Sequence, residues 1–323
     1  MAMTSCLLGS VPTWIAKFRK KYEVEVGILG PDVGEKQEVS VLNKLIRRTP
    51  EGYELEADPR HARAVIEALG LESANGIRAP GVKDEKDDAS KGEQLDKSQH
   101  GLYRSLGARI NYLAMDRADL QYASKEVCRA MSAPTIGDWI KLKRIGRYLV
   151  RRPRVIMLYR WLGEETQEMT IYSDTDWGGC RKTRRSTSGG LILRGPHYIR
   201  SWSNTQATVA LSSAEAELGG IVKASAEGIG IRNIGRDLGD AVPKHITVYS
   251  DAAAALGIVA RRGVGRIRHL DTRLLWVQEN NVRRGVEYSK IRGNENPSDP
   301  LTKHTGEEGI AQMLAWADME WRD

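Results

Sequence analysis

The sequence predicts an α/β protein built on a mixed five-stranded sheet with flanking helices, preceded by a smaller α+β and helical region. Three observations lead there. From Met157 the pattern runs strand, strand, strand, helix, strand, helix, helix, strand, helix. Three sequential strands followed by βαβ-like alternation give a mixed sheet with helices packed on it. Ahead of it lies a helical stretch, Leu102 to Arg152, and ahead of that a short segment with strand-like alternation. The expected units are therefore 1–82, a charged linker 83–100, a helical connection 101–156 and the sheet domain 157–323.

In chain order, Glu38-Val39-Ser40-Val41-Leu42 alternates like a strand. Tyr53-Glu54-Leu55-Glu56-Ala57 alternates again after the turn Thr49-Pro50-Glu51-Gly52, which predicts a hairpin between these two runs. Pro59 opens a helix over His61 to Leu69, with Ala64, Val65, Ala68 and Leu69 on one face and Gly70 as its stop. Lys83 to His100 is rich in Lys, Asp and Glu and has no apolar face to bury, so it is expected to be mobile. Pro134 divides the next region into two helices, Gly101–Met131 and Thr135–Arg151. The second carries an apolar stripe, Trp139, Leu142, Ile145 and Leu149, that reads as core packing. Around the stripe stand Lys141, Lys143, Arg144, Arg147, Arg151 and Arg152. They either follow a phosphate backbone or are simply solvated. The strands of the sheet domain are expected at Glu168–Ser173, Gly190–Leu193, Tyr198–Ser203, Ile246–Ser250 and Val286–Ile291, with helices starting near Ser212, Asp251 and Asp271. There is no internal repeat.

The chain has 323 residues, which suits two domains or one large one. Apolar residues make up 41 %, enough for a core, but with a single Phe the packing falls to Leu, Ile, Val, Trp and Tyr. A net charge of +7 and a pI near 9.2 favour an anionic partner, nucleic acid first, although a solvated basic surface gives the same balance. Cys6, Cys128 and Cys180 are scattered, with neither zinc spacing nor an even count for a disulfide framework. A reducing compartment, cytosol or nucleus, is expected rather than secretion. No signal peptide is read in Met1 to Lys17, and no apolar run is long enough to span a bilayer.

Four acids stand where strands and helices end. Asp174 ends the run Thr170-Ile171-Tyr172-Ser173. Glu217 lies in the first turns of a helix that Ser212 or Ser213 can cap. Asp251 follows Ile246-Thr247-Val248-Tyr249-Ser250 and opens an alanine run. Asp299 precedes Pro300, where a C-terminal helix could begin. Hydrolysing a phosphodiester calls for a nucleophile and stabilised charge on the attacking and leaving oxygens, which two divalent cations supply. Magnesium prefers oxygen ligands, so carboxylates from several elements form its natural cage. Each acid also has a plainer reading, as a turn or N-cap residue or as a complement to the helix dipole.

At these residues a family emerges. Tyr172-Ser173-Asp174-Thr175-Asp176-Trp177-Gly178-Gly179-Cys180, with Thr183-Arg184-Arg185-Ser186-Thr187-Ser188-Gly189, resembles the opening signature of the ribonuclease H domain of copia-type LTR retrotransposons. Ser201-Trp202-Ser203, Ser212-Ser213-Ala214-Glu215-Ala216-Glu217, Tyr249-Ser250-Asp251, Arg268-His269-Leu270-Asp271 and Asp299-Pro300-Leu301-Thr302-Lys303 resemble the next blocks in order. The resemblance implies a ribonuclease H-like sheet and cleavage of the RNA strand of RNA·DNA hybrids. It implies that Asp174, Glu217, Asp251 and Asp299 are the catalytic metal ligands, holding two Mg²⁺ or alternatively Mn²⁺. Glu215 is the less favoured glutamate. Asp176 shares a strand face with Asp174. Such a hybrid is recognised by shape, phosphates and 2′-hydroxyls, and Arg184, Arg185, Arg266, Arg268 and His269 are the candidate backbone contacts, with solvated charge as the plainer reading. Trp202 is read as core in preference to groove.

The middle region, through Tyr103-Arg104-Ser105-Leu106, Asn111-Tyr112-Leu113, Arg117-Ala118-Asp119-Leu120 and Leu142 to Leu149, resembles the segment joining reverse transcriptase to ribonuclease H. The first region resembles, more loosely, the thumb side of the polymerase. The palm motif is absent, since the one Asp-Asp pair, Asp87-Asp88, lies in the charged linker. The chain thus looks like the C-terminal part of a Pol polyprotein, with the upstream reverse transcriptase core as an expected partner and a cytoplasmic virus-like particle or the nucleus as its place. A catalytically inactive nucleic-acid-binding remnant is the alternative. One departure bears on the fold: Gly219, Gly220, Gly228, Gly230 and Gly235 fall in the helix after Ser212. Each costs up to about 1 kcal/mol relative to Ala, so that helix is expected to be short or bent.

Overall fold

The computed structural model describes residues 27–83, 92–161, 168–238, 245–265, 269–283 and 285–322, with 16, 19–23 and 267 besides. Positions 84–91 of the charged linker, and Arg266 and Arg268, lie outside the described residues.

Two five-stranded sheets organise the chain. The first contains β1 (Glu38–Val41), β2 (Lys44–Thr49), β3 (Gly52–Glu56), β4 (Arg154–Arg160) and β10 (Met319–Arg322), side by side in that order and antiparallel throughout. The expected hairpin between the runs at 38–42 and 53–57 is not formed. β1 turns instead into β2 through Leu42 and Asn43, both at positive φ (52° and 64°), as a two-residue hairpin turn with right-handed twist requires. It is β2 that then pairs with β3 across the predicted turn. Every residue of β2 is half-buried, so Lys-Leu-Ile-Arg-Arg-Thr shows no alternation to read. The sheet also reaches far beyond the first 82 residues, because β4 and the C-terminal β10 complete it.

Helices fill the space between. α1 (Pro59–Ala68) is capped by Asp58 and ends at Gly70, whose φ is +61°. The stretch expected to be one helix to Met131 is two, α2 (Lys97–Leu113) and α3 (Gln121–Cys128), separated by a 3₁₀ turn at Ala118–Leu120. The break has a physical cause. Arg117, only 1 % exposed, donates to both oxygens of Asp119 (2.9 and 2.7 Å) and to the carbonyls of Arg152 and Pro153 (3.0 Å each). A buried arginine needs every one of those acceptors, and they lie two residues along the chain and on another element. α4 (Ile136–Arg151) starts at the Thr135–Asp138 capping box. Its apolar stripe joins α1, α2 and α3 in one core, with Leu142, Ile145, Tyr148 and Leu149 all buried.

The second sheet is mixed. It contains β5 (Met169–Asp176), β6 (Thr187–Arg194), β7 (His197–Thr205), β8 (Ile246–Ser250) and β9 (Val286–Lys290), in the order β7-β6-β5-β8-β9. β5, β6 and β7 run antiparallel, whereas β8 and β9 are parallel to β5. Against it pack α5 (Ser213–Asp237), α6 (Ala253–Ala260) and α7 (Val277–Arg283). α5 is a continuous helix of 25 residues, neither short nor broken, despite its glycines. Two of them are needed where they are. A Cβ on Gly228 would lie 2.3 Å from Ile171 Cδ1, and one on Gly220 would lie 2.6 Å from Thr175 Oγ1. These glycines let the helix press onto β5, and that packing offsets their intrinsic cost. The segment after Asp299 is a 3₁₀ turn, Asp299–Leu301, and the last helix, α8 (Glu307–Trp316), begins later than expected. A third core lies between the sheets, where Ile310, Met313 and Leu314 meet Val155, Met157, Leu191 and Leu193. Among the described residues no helix is long and apolar enough to cross a membrane.

Candidate metal centre

β5 is the central strand, and its partner β8 pairs with it only as far as Tyr172↔Tyr249. Beyond that pair the two parallel strands separate, and Asp174 and Asp251 stand at their carboxyl ends. Open α/β sheets characteristically bind ligands there. Glu217 comes from the first turns of α5, whose entry is set by local bonds. Ser212 Oγ accepts the Glu215 amide (3.2 Å), and a Glu215 carboxylate oxygen accepts the Leu211 amide (2.8 Å). Glu215 is thus occupied in the cap, and Glu217, two residues on and about 200° further round the helix, joins Asp174 of β5.

The structure brings three of the four expected acids together. Asp174, Glu217 and Asp251 each offer a carboxylate oxygen, and these oxygens all lie within 4.8 Å of one another. Burial and crowding raise two of these carboxyls, Asp174 and Glu217. The Asp174 carboxyl is raised to about 6, first by burial and then by the charges of Asp299 and Asp251, against an opposing hydrogen bond from Thr302. Glu217 is raised to about 9, again first by burial and then by Asp174 and Asp251, opposed by a backbone hydrogen bond at Thr175. Glu217 Oε2 is buried and has no hydrogen-bond partner, and the Ser173 and Thr175 hydroxyls beside it are in the same state. A buried carboxylate oxygen without a donor is costly. Oxygen-only donors, mutual crowding and an orphaned oxygen fit a hard divalent cation.

The fourth acid sits next to the group without joining it. Asp299 is held by Lys303 (Nζ–Oδ1 2.5 Å), and its charge acts on Asp174. Its turn is pinned to the sheet by side chains that the carboxylate pattern does not reveal. Asn296 Nδ2 donates to the Ser173 carbonyl (3.0 Å) and its Oδ1 accepts from the Ser298 amide and hydroxyl (3.1 and 2.6 Å). Thr302 Oγ1 donates to Asp174 Oδ2. Gly189, opposite Asp174 on β6, makes that approach feasible, because a Cβ there would lie 2.7 Å from Leu301 and 2.8 Å from Thr302. The signal for Thr302 was inside the block Asp299 to Lys303. For Asn296 no local signal exists, since its partner is on β5.

Asp176 ends β5 away from the group, near Lys125 and Lys303. Arg184 and Arg185 are exposed in the loop after β5, which Arg184 N→Cys180 O (2.7 Å) and Cys180 N→Arg185 O (3.2 Å) close upon itself. His269 lies 3.6 Å from Glu215 at the N-terminus of α5. Trp202 is core, 5 % exposed and stacked against Gly190.

No family model matches the sequence. Relatives do. The retrovirus-related Pol polyprotein from transposon RE2 of Arabidopsis thaliana is 28 % identical over 260 residues, covering 80 % of this chain and 17 % of that protein. The secreted RxLR effector protein 161 of Plasmopara viticola is 34 % identical over 125 residues, 39 % of this chain and 87 % of that protein. Among solved structures, LC11-RNase H1 in complex with an RNA/DNA hybrid aligns with 16 % identity and a TM-score of 0.31, over 45 % of this chain and 99 % of that one.

Proposed function

We propose that this chain, which belongs with the retrovirus-related Pol polyproteins of copia-type transposons, is a metal-dependent ribonuclease H that cuts the RNA strand of RNA·DNA hybrids. The Pol relative RE2 matches 80 % of the chain and the effector 39 %, so the reading follows Pol. The chain spans 17 % of the RE2 polyprotein, and an upstream reverse transcriptase core is the partner this reading adds.

One observation carries the proposal: three carboxylates from three elements converge with one oxygen left without a donor. Two divalent cations, magnesium or in its place manganese, supply a water nucleophile near neutral pH and stabilise the leaving oxygen when bound. Everything else falls to the chain. Asp174, Glu217 and Asp251 would hold the ions, with Asp299, paired to Lys303, beside them. Glu217 gives up its proton on loading, which makes binding pH-dependent. Thr302 fixes the rotamer of Asp174, and Asn296 keeps the 296–302 turn against β5. Arg184, Arg185, Arg266, Arg268 and His269 take the phosphates of the hybrid.

The test is cleavage of an RNA·DNA hybrid with Mg²⁺, beside Asp174→Asn. Metal-dependent cutting lost in the variant supports the reading, and equal activity in both rejects it. The engagement of Asp299 by Lys303 favours a second reading, an inactive nucleic-acid-binding remnant. Hybrid binding without metal-dependent cutting would select it.

A further inference from the structure

α4 presents two faces. One is the buried stripe. On the other, Lys143, Arg147 and Arg151 are exposed and four residues apart. At about 1.5 Å per residue they form a row about 12 Å long along the helix. The helix has a single acid, Asp138, and its capping box consumes it. Arg147 spends only its Nε, on the Asn75 carbonyl (2.9 Å). Between Lys143 and Arg147 lies Arg144, whose buried Nε has no partner and which burial and then the charge of Arg147 push down. Among the described residues this row meets a carboxylate only at its end, where Arg151 lies 3.8 Å from Glu307.

The row also leads somewhere. At its C-terminal end Arg151, Arg152 and Arg78 converge on one carboxylate, Glu307 (3.8, 2.9 and 3.6 Å), leaving the cluster in cationic excess. Arg78 is 75 % exposed. Glu307 opens α8, four residues after Lys303, and four residues span at most about 14 Å. Lys303 in turn touches Asp299 beside the carboxylate group. Residues 303–307 therefore link Lys303, beside the candidate catalytic acids, to the arginines around Glu307 and the exposed face of the connection helix.

We propose that Lys143, Arg147, Arg151 and Arg78 form a track for the phosphate backbone of the duplex whose RNA strand lies at Asp174. It rests on the hybrid-binding reading above and adds to it a surface from outside the ribonuclease H-like sheet. Phosphate contacts release counterions, so each one lost lowers the salt slope of binding by about 0.9.

The test is fluorescence anisotropy of the whole chain with an end-labelled RNA·DNA hybrid, in EDTA, over a series of KCl concentrations. Lys143→Ala/Arg147→Ala is expected to lower the slope by about 2 and to weaken binding more than about tenfold near 0.1 M salt. Lys143→Arg/Arg147→Lys, which preserves charge, is expected to keep both. Glu307→Gln, removing the one acid on the track, is expected to tighten binding. Arg236→Ala, an exposed arginine at the far end of α5, should change nothing. An unchanged slope in the double alanine variant overturns the track, as does a wild-type chain that binds no hybrid. The two proposals fail separately. A slope that depends on the ridge without any Mg²⁺-dependent cutting removes the nuclease and leaves the track. Cutting with an unaltered slope does the reverse.

Discussion

Two groups of buried charge in this molecule are built on opposite plans. In the connection region Arg117 meets Asp119 through two bonds, gives two further donors to two carbonyls, and leaves Asp119 a further donor in the Tyr148 hydroxyl (2.7 Å). Trp321 of the C-terminal strand then donates to Tyr148 (3.1 Å), so the network ties α4 to β10. Every charge there has an internal answer. Around Asp174, among the described residues, three acids share a site with a single side-chain donor, Thr302, and the one cation acting on them, Lys303, is bound to Asp299 at the edge. The first arrangement is complete as it stands and holds the fold. The second is incomplete, and incompleteness of this kind points to a ligand.

The contrast can be broken in order of effect. Asp174→Asn should reduce Mg²⁺-dependent hybrid cleavage to background while hybrid binding in EDTA persists. A gel-based cleavage assay decides it, and retained cleavage would remove the carboxylates from the chemistry. Arg117→Met should cost about 3–5 kcal/mol in urea unfolding, since it strands a buried carboxylate. Replacing both partners, as Arg117→Met/Asp119→Leu, should recover most of that loss, and no recovery would mean the pair is more than self-compensating. Thr302→Val should weaken Mg²⁺ binding by calorimetry about 10–100-fold, the size expected when the group orienting a metal ligand is lost. An unchanged affinity would show that Asp174 needs no orientation.

The subtlest difference is in pH. Asp174 and Glu217 are raised from 3.8 and 4.5 to about 6 and about 9. Groups raised on folding favour the native state while protonated, so their contribution is full below the unfolded values and is lost as pH climbs through the folded ones. Metal-free protein should therefore lose thermal stability from about pH 5 to about pH 9. Mg²⁺ should restore it on the alkaline side, and Glu217→Gln should flatten the decline. A Tm that rises over that window would contradict the crowding of the acids.

Much of the second sheet could be read along the chain. β5, β7, β8 and β9 follow runs of β-branched and aromatic residues, and α5 starts at Ser212, where a capping serine precedes an apolar run. The local errors share one origin. β2 lacks alternation because both its faces are half covered. The single helix expected to Met131 is cut at Arg117, which bonds Asp119 two residues on and the carbonyls of Arg152 and Pro153 far along the chain. The α5 glycines look like defects until Ile171 and Thr175 are placed beneath them.

The sequence alone determined which residues carry charge, where periodicity changes, and which acids end which elements, because those depend on neighbours within a turn or a strand. The tertiary structure decided that β10 returns to the first sheet, that Gly189 lets Thr302 reach Asp174, and that Asp299 binds Lys303 beside the other three acids. It also decided that burial and the neighbouring acids raise the Glu217 carboxyl. Register, close approach and desolvation are set by packing between elements, in places more than a hundred residues apart, as for Thr302 and Asp174 or β10 and β4, and no local pattern encodes them.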